Sequence, residues 1–414
     1  MTSQKEMLFK EREKRLKDAI ALKTPDHVPT TCSFYFFPAR YYGCTMQEMM
    51  FDPEILWDFH LRATLEFLPD LAQNPFGLTF LGPILETLDY KQMHWPGGQL
   101  DNNVPYQFVE GEYMKADEYD HFLSEPTDFI VRKYWPRIAG NLKELQNLPP
   151  LSNFCSLMGF SAFGMFSSSE MQSVLDTVKT AGQAAERLIS YSLRFNQKLA
   201  QEGFPTQGGV TVEAPYDLIG DYLRGTKGLM LDMYRRPDLV HKACEIILPL
   251  EIERGISGAR RTNSMLVFIP LHKGLDGFMS REQFLTFYWP YLRELIVGLI
   301  EAGLTPYVFW EGDCTTRLPD ITDIPAGKAI YRFEATDMLK AKDHLREKVC
   351  IRGNVPITLL STGTPDEVRS YCKKLIEYVG KDGGLILDAS AHITDAKAEN
   401  VKVMFESALE FGVR

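Results

Sequence analysis

The chain has 414 residues, of which 45% are hydrophobic and 24% are charged, a composition typical of globular proteins. Its formal net charge of −10 excludes the basic surface that nucleic-acid-binding proteins carry. We expect no signal peptide because the first residues are polar and charged, and no run approaches the roughly 18 apolar residues of a membrane helix. Seven cysteines without metal-ligand spacing indicate reduced thiols, so we expect a cytoplasmic protein.

The predicted elements alternate along the chain after an amino-terminal helix within residues 1–24. Helices are predicted over residues 45–67, 116–124, 127–146, 170–202, 281–302 and 365–379. Strands are predicted over residues 30–36, 70–75, 207–213, 265–271, 304–311, 328–334, 349–354 and 383–389. Short apolar strands that alternate with helices predict an α/β protein with a parallel sheet covered on both faces.

The strand count predicts a (β/α)8 TIM barrel, with residues 76–205 as a long insertion with helices after strand 2. A doubly wound open sheet is the alternative. We expect a single domain over residues 1–414. The chain contains neither GxGxxG after the first strand nor GxxxxGK[ST], so nucleotide binding is not supported.

Polar side chains follow nearly every predicted strand, where a barrel of this kind places its active site. They are Tyr35, Arg40, Asn74, Glu213, His272, Glu311, Asp313, Glu334, Asp337, Asn354, Asp388 and His392. This ring of residues predicts a polar pocket at the carboxyl ends of the strands. Some members have purely structural alternatives: Asn354 can stabilise a turn, Asp337 can cap a helix, and Cys314 has no evident base partner.

His272 and Glu311 are the strongest candidates because consecutive predicted strands release them. Imidazole and carboxylate at one mouth can bind zinc together with a third ligand, or can act as an acid–base pair. Asp313 and His392 are further catalytic candidates. Aromatic residues around the mouth are expected either to wall an apolar pocket, Trp310 among them, or to belong to the core.

The order and spacing of several motifs resemble the uroporphyrinogen decarboxylase superfamily. The motifs are "ALKTPDHVP", "FPARYY", "VTVEAPYDLIGDYLRG", "GFMSREQF", "CIRGNVP", "STGTPDEV" and "GGLILDASAHITDAKAENV". The resemblance implies a (β/α)8 barrel with a cleft at its carboxyl mouth. It also implies one of two activities, decarboxylation in the heme pathway or corrinoid- or zinc-dependent methyl transfer.

The residues of the decarboxylase motifs are only partly present. Where such enzymes keep two arginines in a motif like "RQAGRY", Arg40 fits the second position and Phe36 stands at the first. Their key tyrosine falls on Asp221, and their late histidine falls near Ser390, two residues before His392. A substrate with eight carboxylates needs cationic partners, whereas the predicted ring is mainly acidic.

The zinc motif of the related methyltransferases, HxC followed by a distant Cys, is also altered, and Glu311 occupies one of its ligand positions. His272, Glu311 and Asp388, with His392 as an alternative, could form a nitrogen–oxygen site for zinc. Such a site suits the oxygen of a methyl ether better than a thiol.

These observations favour a methyltransferase of this superfamily that moves a methyl group between a small substrate, such as a methoxylated aromatic compound, and a corrinoid on a separate protein. Expected substrate-binding residues are Arg40, Tyr35, Glu213, Asn354 and Trp310. The alternatives are uroporphyrinogen decarboxylase, in porphyrin biosynthesis, and a non-catalytic barrel that binds a ligand.

Overall fold

The computed structural model describes residues 4–207 and 209–413. The α-helices are, in chain order, α1 (Gln4–Ile20), α2 (Phe37–Tyr42), α3 (Met46–Phe51), α4 (Pro53–Phe67), α5 (Gly82–Leu88), α6 (Tyr119–Ser124), α7 (Pro126–Phe129), α8 (Trp135–Ile138), α9 (Ser169–Gln201), α10 (Pro215–Leu218), α11 (Gly225–Arg235), α12 (Pro237–Thr262), α13 (Arg281–Gln283), α14 (Trp289–Glu301), α15 (Met338–Leu345), α16 (Ile357–Thr362), α17 (Pro365–Tyr378) and α18 (Ala398–Phe411). The strands are β1 (Ala72–Gln73), β2 (Met93–His94), β3 (Gln107–Phe108), β4 (Thr206–Gln207), β5 (Leu266–Leu271), β6 (Thr305–Trp310), β7 (Ile330–Phe333), β8 (Cys350–Arg352) and β9 (Leu385–Ile386).

The strands pair in parallel, as predicted. β5, β6, β7, β8 and β9 form one sheet in that order, and β1 pairs with β4. Single parallel bridges extend these pairings, namely Leu387–Thr30, Thr31–Leu71 and Thr211–Phe268. The sheet β5–β9 thus continues through Leu387 to the predicted strand at Thr30 and Thr31, and from there through Leu71 to β1 and β4. The bridge between Thr211, which follows β4, and Phe268 leads back to β5. The small antiparallel pair β2–β3 lies in the predicted insertion.

Side chains along each strand alternate between two apolar layers. In β6, Val308 and Trp310 pack in the large cluster shared with the surrounding helices, whereas Tyr307 packs with inward residues of the following strands. Helix α1 contributes Leu16 and Ala19 to this inner cluster, so it covers the amino-terminal ends of the strands.

Two predicted helices are interrupted where a proline enters. The prediction over 127–146 becomes α7, a π-helical segment (Ile130–Tyr134), α8 and a 3-10 segment. The prediction over 281–302 becomes α13, a second π-helical segment (Phe284–Tyr288) and α14. α8 and α14 each have proline in their first turn, and proline cannot donate the backbone hydrogen bond that a continuous α-helix needs. No helix within the described residues is long and apolar enough to cross a membrane.

Candidate functional site

His272 lies directly after β5 and is held between two carboxylates. Its Nδ1 lies 2.6 Å from Oδ2 of Asp221, and its Nε2 lies 3.6 Å from Oε1 of Glu311, which follows β6. Lys273 places its Nζ 2.7 Å from the other oxygen of Asp221. The structure thus brings the predicted His272–Glu311 pair together and adds Asp221 and Lys273 to it.

The helical stretch formed by α10 and the π-helical segment after it positions this cluster. Asp217 and Asp221 are four residues apart, so both carboxylates lie on the face turned toward β5. The backbone N–H groups of His272 and Lys273 donate to the two oxygens of Asp217, at 3.2 and 3.0 Å. Asp221 itself belongs to a π-helical segment (Ile219–Arg224), a wider turn that is often found at functional sites.

The surrounding charges keep His272 protonated. Burial lowers the pKa of this imidazole, but the hydrogen bond to Asp221, the nearby carboxylate of Glu311 and the charge of Asp217 raise it overall to about 11. Burial opposes ionisation of Asp221 as well, yet His272 and Lys273 lower its pKa overall. At neutral pH the site therefore presents an imidazolium whose Nε2–H is directed toward Glu311.

Glu213 is a second source of a proton. Burial, together with the nearby carboxylates of Asp217 and Asp221, raises the pKa of Glu213 to about 8 despite the opposing charge of His272. Its Oε2 is buried without a hydrogen-bond partner, and Oε1 lies 3.5 Å from the hydroxyl of Tyr222. Glu213 is therefore a neutral carboxylic acid at neutral pH.

Aromatic rings pack against one another beside this cluster. The Tyr35 ring stacks on His392 with centroids 4.9 Å apart and meets Tyr106 at 5.5 Å. His392 also meets Phe309 of β6 at 6.2 Å. Burial, together with the nearby charge of Glu311, raises the pKa of Tyr106, so its hydroxyl stays neutral. The acid–base cluster and the aromatic rings thus adjoin each other.

The backbone holds Tyr35 in an uncommon conformation. Its φ is 50°, a left-handed value that costs free energy for a side chain of this size. Its carbonyl accepts a hydrogen bond of 2.9 Å from the buried ring of His60. Burial lowers the pKa of His60 to about 3, so this interaction involves a neutral imidazole. Residues with such strain cluster at functional sites.

Two arginines lie in the inner layer of the strands, both fully buried. Nε of Arg352 lies 2.7 Å from Oδ2 of Asp388, and Nε of Arg332 lies 3.3 Å from the same oxygen. The guanidinium of Arg332 stacks over Phe309 at 4.3 Å from the ring centroid. The predicted ligand Asp388 is therefore a buried ion-pair partner, and it reaches the aromatic rings only through Arg332.

The remaining predicted residues lie elsewhere. Asp313 accepts hydrogen bonds from Thr315 and stabilises the turn after β6. Asn354 donates to two backbone carbonyls and accepts from Tyr371. Both Asp313 and Asn354 line a separate cleft of about 1100 Å³ at the carboxyl ends of the later strands. Arg40 is half-exposed and paired with Asp395 at 2.5 Å.

Trp310 is fully buried among the helices and does not belong to the group of rings around Tyr35 and His392. Its neighbour Phe309 takes that place because consecutive residues of a strand point to opposite faces. Two of the structural interpretations made from the sequence agree with the structure. Asp337 caps α15 by accepting hydrogen bonds from the N–H groups of Leu339 and Lys340. Burial raises the pKa of the Cys314 thiol to about 12, as expected of a thiol that no base activates.

The residues do not fit the predicted zinc site. Catalytic zinc needs three protein ligands that face one point and an open position. His272 uses Nδ1 for Asp221, Glu311 offers a single carboxylate, and Asp388 is occupied by arginine. Across residues 4–207 and 209–413, no group of three or more His, Cys, Asp or Glu side chains is arranged to hold a metal ion. The acid–base alternative fits the geometry of the pair.

Several residues of this candidate site were not identified from the sequence, although most of them leave a signal there. The spacing of Asp217 and Asp221 in "APYDLIGDYLRG" places two carboxylates on one helix face. Arg332 and Arg352 are single charges within apolar strands, and a buried charge requires a partner. Tyr106, in the insertion, has no signal of this kind.

Comparison with known proteins identifies the family. The family model described as "Uroporphyrinogen decarboxylase (URO-D)" matches residues 172–411, more than half of the chain. The chain therefore belongs to the uroporphyrinogen decarboxylase family, and the predicted superfamily resemblance is confirmed.

The relatives in this family are distant. A uroporphyrinogen decarboxylase of Chlorobium phaeobacteroides is 26% identical over 194 residues, 44% of this chain and 52% of the relative. One of Chlorobaculum parvum is 22% identical over 269 residues, 60% of this chain and 72% of the relative. The match thus spans about half the length of the first. A methyltransferase from Methanosarcina mazei shares the fold, with a TM-score of 0.66, 15% identity and coverage of 97% of this chain and 98% of that one.

Proposed function

We propose that this protein is a methyltransferase that takes a methyl group from a methoxylated aromatic compound and passes it to a corrinoid on a separate protein. The observation that carries the proposal is the imidazolium of His272, held by Asp221 and Glu311. Glu311 in turn lies within electrostatic reach of Tyr106, whose ring meets that of Tyr35. We also infer that the parallel strand pairings close into the eight-stranded barrel that the resemblance implies. The Methanosarcina mazei methyltransferase has this same fold, so the fold accommodates methyl transfer.

The chemistry of an aryl methyl ether calls for such a site. The carbon–oxygen bond breaks with its electron pair remaining on oxygen, and the methyl carbon bonds to the nucleophile that a reduced corrinoid supplies. The departing oxygen is a poor leaving group unless its developing charge is neutralised. Nε2–H of His272 can deliver that proton, so that the product is a neutral phenol.

The carboxylates around His272 have distinct tasks in this proposal. Asp221 fixes the ring through Nδ1 and, with Glu311, keeps the imidazole protonated. The gap of 3.6 Å between Nε2 and Glu311 is too long for a good hydrogen bond, so an ether oxygen can compete for the donor. The aromatic rings orient the ether by stacking on its ring.

Tetrapyrrole decarboxylation is the second candidate, and the names of the curated relatives favour it. Its eight-carboxylate substrate needs a strongly basic mouth. Here Arg40 is paired with Asp395, and Phe36 stands where the decarboxylase motif keeps its other arginine. The absence of that arginine pair favours the methyltransferase.

Phenol release from a panel of methoxybenzenes, with free reduced cobalamin as acceptor, tests the proposal. His272→Asn should lower the rate by about 10² to 10⁴-fold because the proton donor is lost. His344→Asn, at an exposed histidine of α15, should leave it unchanged. Conversion of reduced uroporphyrinogen to coproporphyrinogen, without phenol from any ether, would establish the decarboxylase instead.

A further inference from the structure

The inner layer of the strands carries a buried positive charge that no group among the described residues balances. Arg332 and Arg352 are both fully buried, and within the described residues Asp388 is the sole carboxylate within ion-pair distance of either guanidinium. Two cations against one anion leave a positive charge in the interior. Such a charge is costly unless an anion compensates it.

Other contacts of the two guanidinium groups are neutral. Arg352 donates to the amide oxygen of Gln207 at 2.7 Å, and Arg332 donates to the hydroxyl of Tyr307 at 3.2 Å and to a backbone carbonyl. His392 is neutral, since burial and the charges of Arg332 and Arg352 lower its pKa to about 3. No contact here offsets the excess positive charge.

Donors of this group remain unused. Among residues 4–207 and 209–413, buried Nη2 of Arg352 has no hydrogen-bond partner, and Nε of Arg332 makes no hydrogen bond despite its distance of 3.3 Å from Asp388. In the same part of the chain, Nδ1 of His392 and the hydroxyl of Tyr35 are also buried without partners. Buried polar groups are nearly always hydrogen-bonded, so these atoms remain available to a polar partner.

The unused donors adjoin the aromatic rings. Arg332 stacks on Phe309, Phe309 meets His392, and His392 stacks on Tyr35. Tyr106, whose ring meets that of Tyr35, lies within the electrostatic reach of Glu311, the partner of His272. The rings thus connect the guanidinium donors with the acid–base cluster.

We propose that Arg352, with Arg332, binds a carboxylate of the substrate, so that the methyl donor is a methoxylated aromatic acid. This inference rests on the proposed function for the ether and adds the anionic group. A carboxylate matches the geometry of a guanidinium and supplies the negative charge that Asp388 alone does not.

Calorimetric titration of the whole chain with 4-methoxybenzoate and with its neutral counterpart 4-methoxybenzamide, in the absence of any methyl acceptor, tests this subsite. We expect the Kd of the acid to be at least about 10-fold lower than that of the amide, because the amide leaves the arginines uncompensated. Equal Kd values in the wild-type protein would overturn the inference, and this comparison requires no variant to fold.

Variants then locate the effect. Arg352→Gln should abolish the preference for the acid, whereas Arg317→Gln, which removes a buried guanidinium bonded to backbone carbonyls elsewhere, should keep it. A preference that survives Arg352→Gln would contradict the assignment. Preferential binding of the acid without phenol release on adding reduced cobalamin would refute the methyltransferase and retain the anion subsite. Equal phenol release from the acid and the amide would refute the anion subsite and retain the methyltransferase.

Discussion

The charge state of His272 depends on the carboxylates that face its two ring nitrogens. Asp221→Asn removes the nearer one, so the pKa of His272 should fall from about 11 toward its ordinary 6.5. Because the folded pKa lies above the unfolded value, this group stabilises the protein fully below about pH 6.5, and the contribution is lost as pH rises through 11. NMR titration of the imidazole should detect the shift, and an unchanged pKa would contradict the role given to Asp221.

Glu213 should make the stability of the protein depend on pH over a lower pH range than His272 does. Burial raises its pKa from 4.5 to about 8, so the folded protein binds the extra proton and its stability declines as pH rises between those values. Glu213→Gln mimics the neutral acid and should escape the decline. Relative to wild type, its free energy of unfolding should therefore rise by on the order of 4 kcal/mol between pH 5 and pH 8.5. Denaturant unfolding at both pH values measures this, and a constant difference would refute a neutral Glu213.

At the level of elements, the π-helical segment with Asp221 depends on Gly220. A Cβ there would lie 2.3 Å from Cε of Lys273, so alanine must displace that lysine from Asp221. We expect Gly220→Ala to cost about 1 kcal/mol of stability and to lower the rate of phenol release about 10-fold. Gly182→Ala in α9 has open space around it and should stabilise the protein by about 0.5–1 kcal/mol. Similar effects of both substitutions on activity would disprove the positioning role of Gly220.

Element positions were largely predictable from apolar periodicity, but side-chain directions were not. The prediction over 304–311 matches β6 to within a residue at each end, yet Phe309 and Trp310 face opposite layers. An apolar run that is buried on both faces contains no alternation that would reveal its inward side. For the same reason, the sequence did not show that Arg332 and Arg352 point inward. Their proximity becomes evident only from the pairing of β7 with β8.

Across the whole molecule, α1 links the amino terminus to the inner layer of the strands. Leu16 is buried there, whereas Leu8 of the same helix is 37% exposed. Leu16→Ala should cost about 2–5 kcal/mol and Leu8→Ala less than about 1 kcal/mol. Denaturant unfolding tests this difference, and equal losses would show that α1 does not stabilise the sheet. Binding of methoxybenzoate should be unchanged in both, since α1 covers the end opposite the site.

The overall class was predictable because strands and helices alternate along the chain. The site was predictable in part: His272 and Glu311 follow consecutive strands, and parallel strands bring their carboxyl ends together. Tyr106 could not be found because it belongs to the insertion, whose return to the mouth depends on tertiary packing. The motif position of Arg40 gave no indication of Asp395, with which it pairs at the surface.

The most direct test of methyl transfer uses an ether with a trideuterated methyl group. Wild-type protein, reduced cobalamin and 4-(trideuteromethoxy)benzoate should yield trideuteromethyl-cobalamin and 4-hydroxybenzoate in equal amounts by mass spectrometry, and His272→Asn should yield neither above background. Cobalamin that stays unlabelled with every ether, or labelling that persists undiminished in His272→Asn, would contradict the assignment of His272 as the proton donor of a methyltransferase.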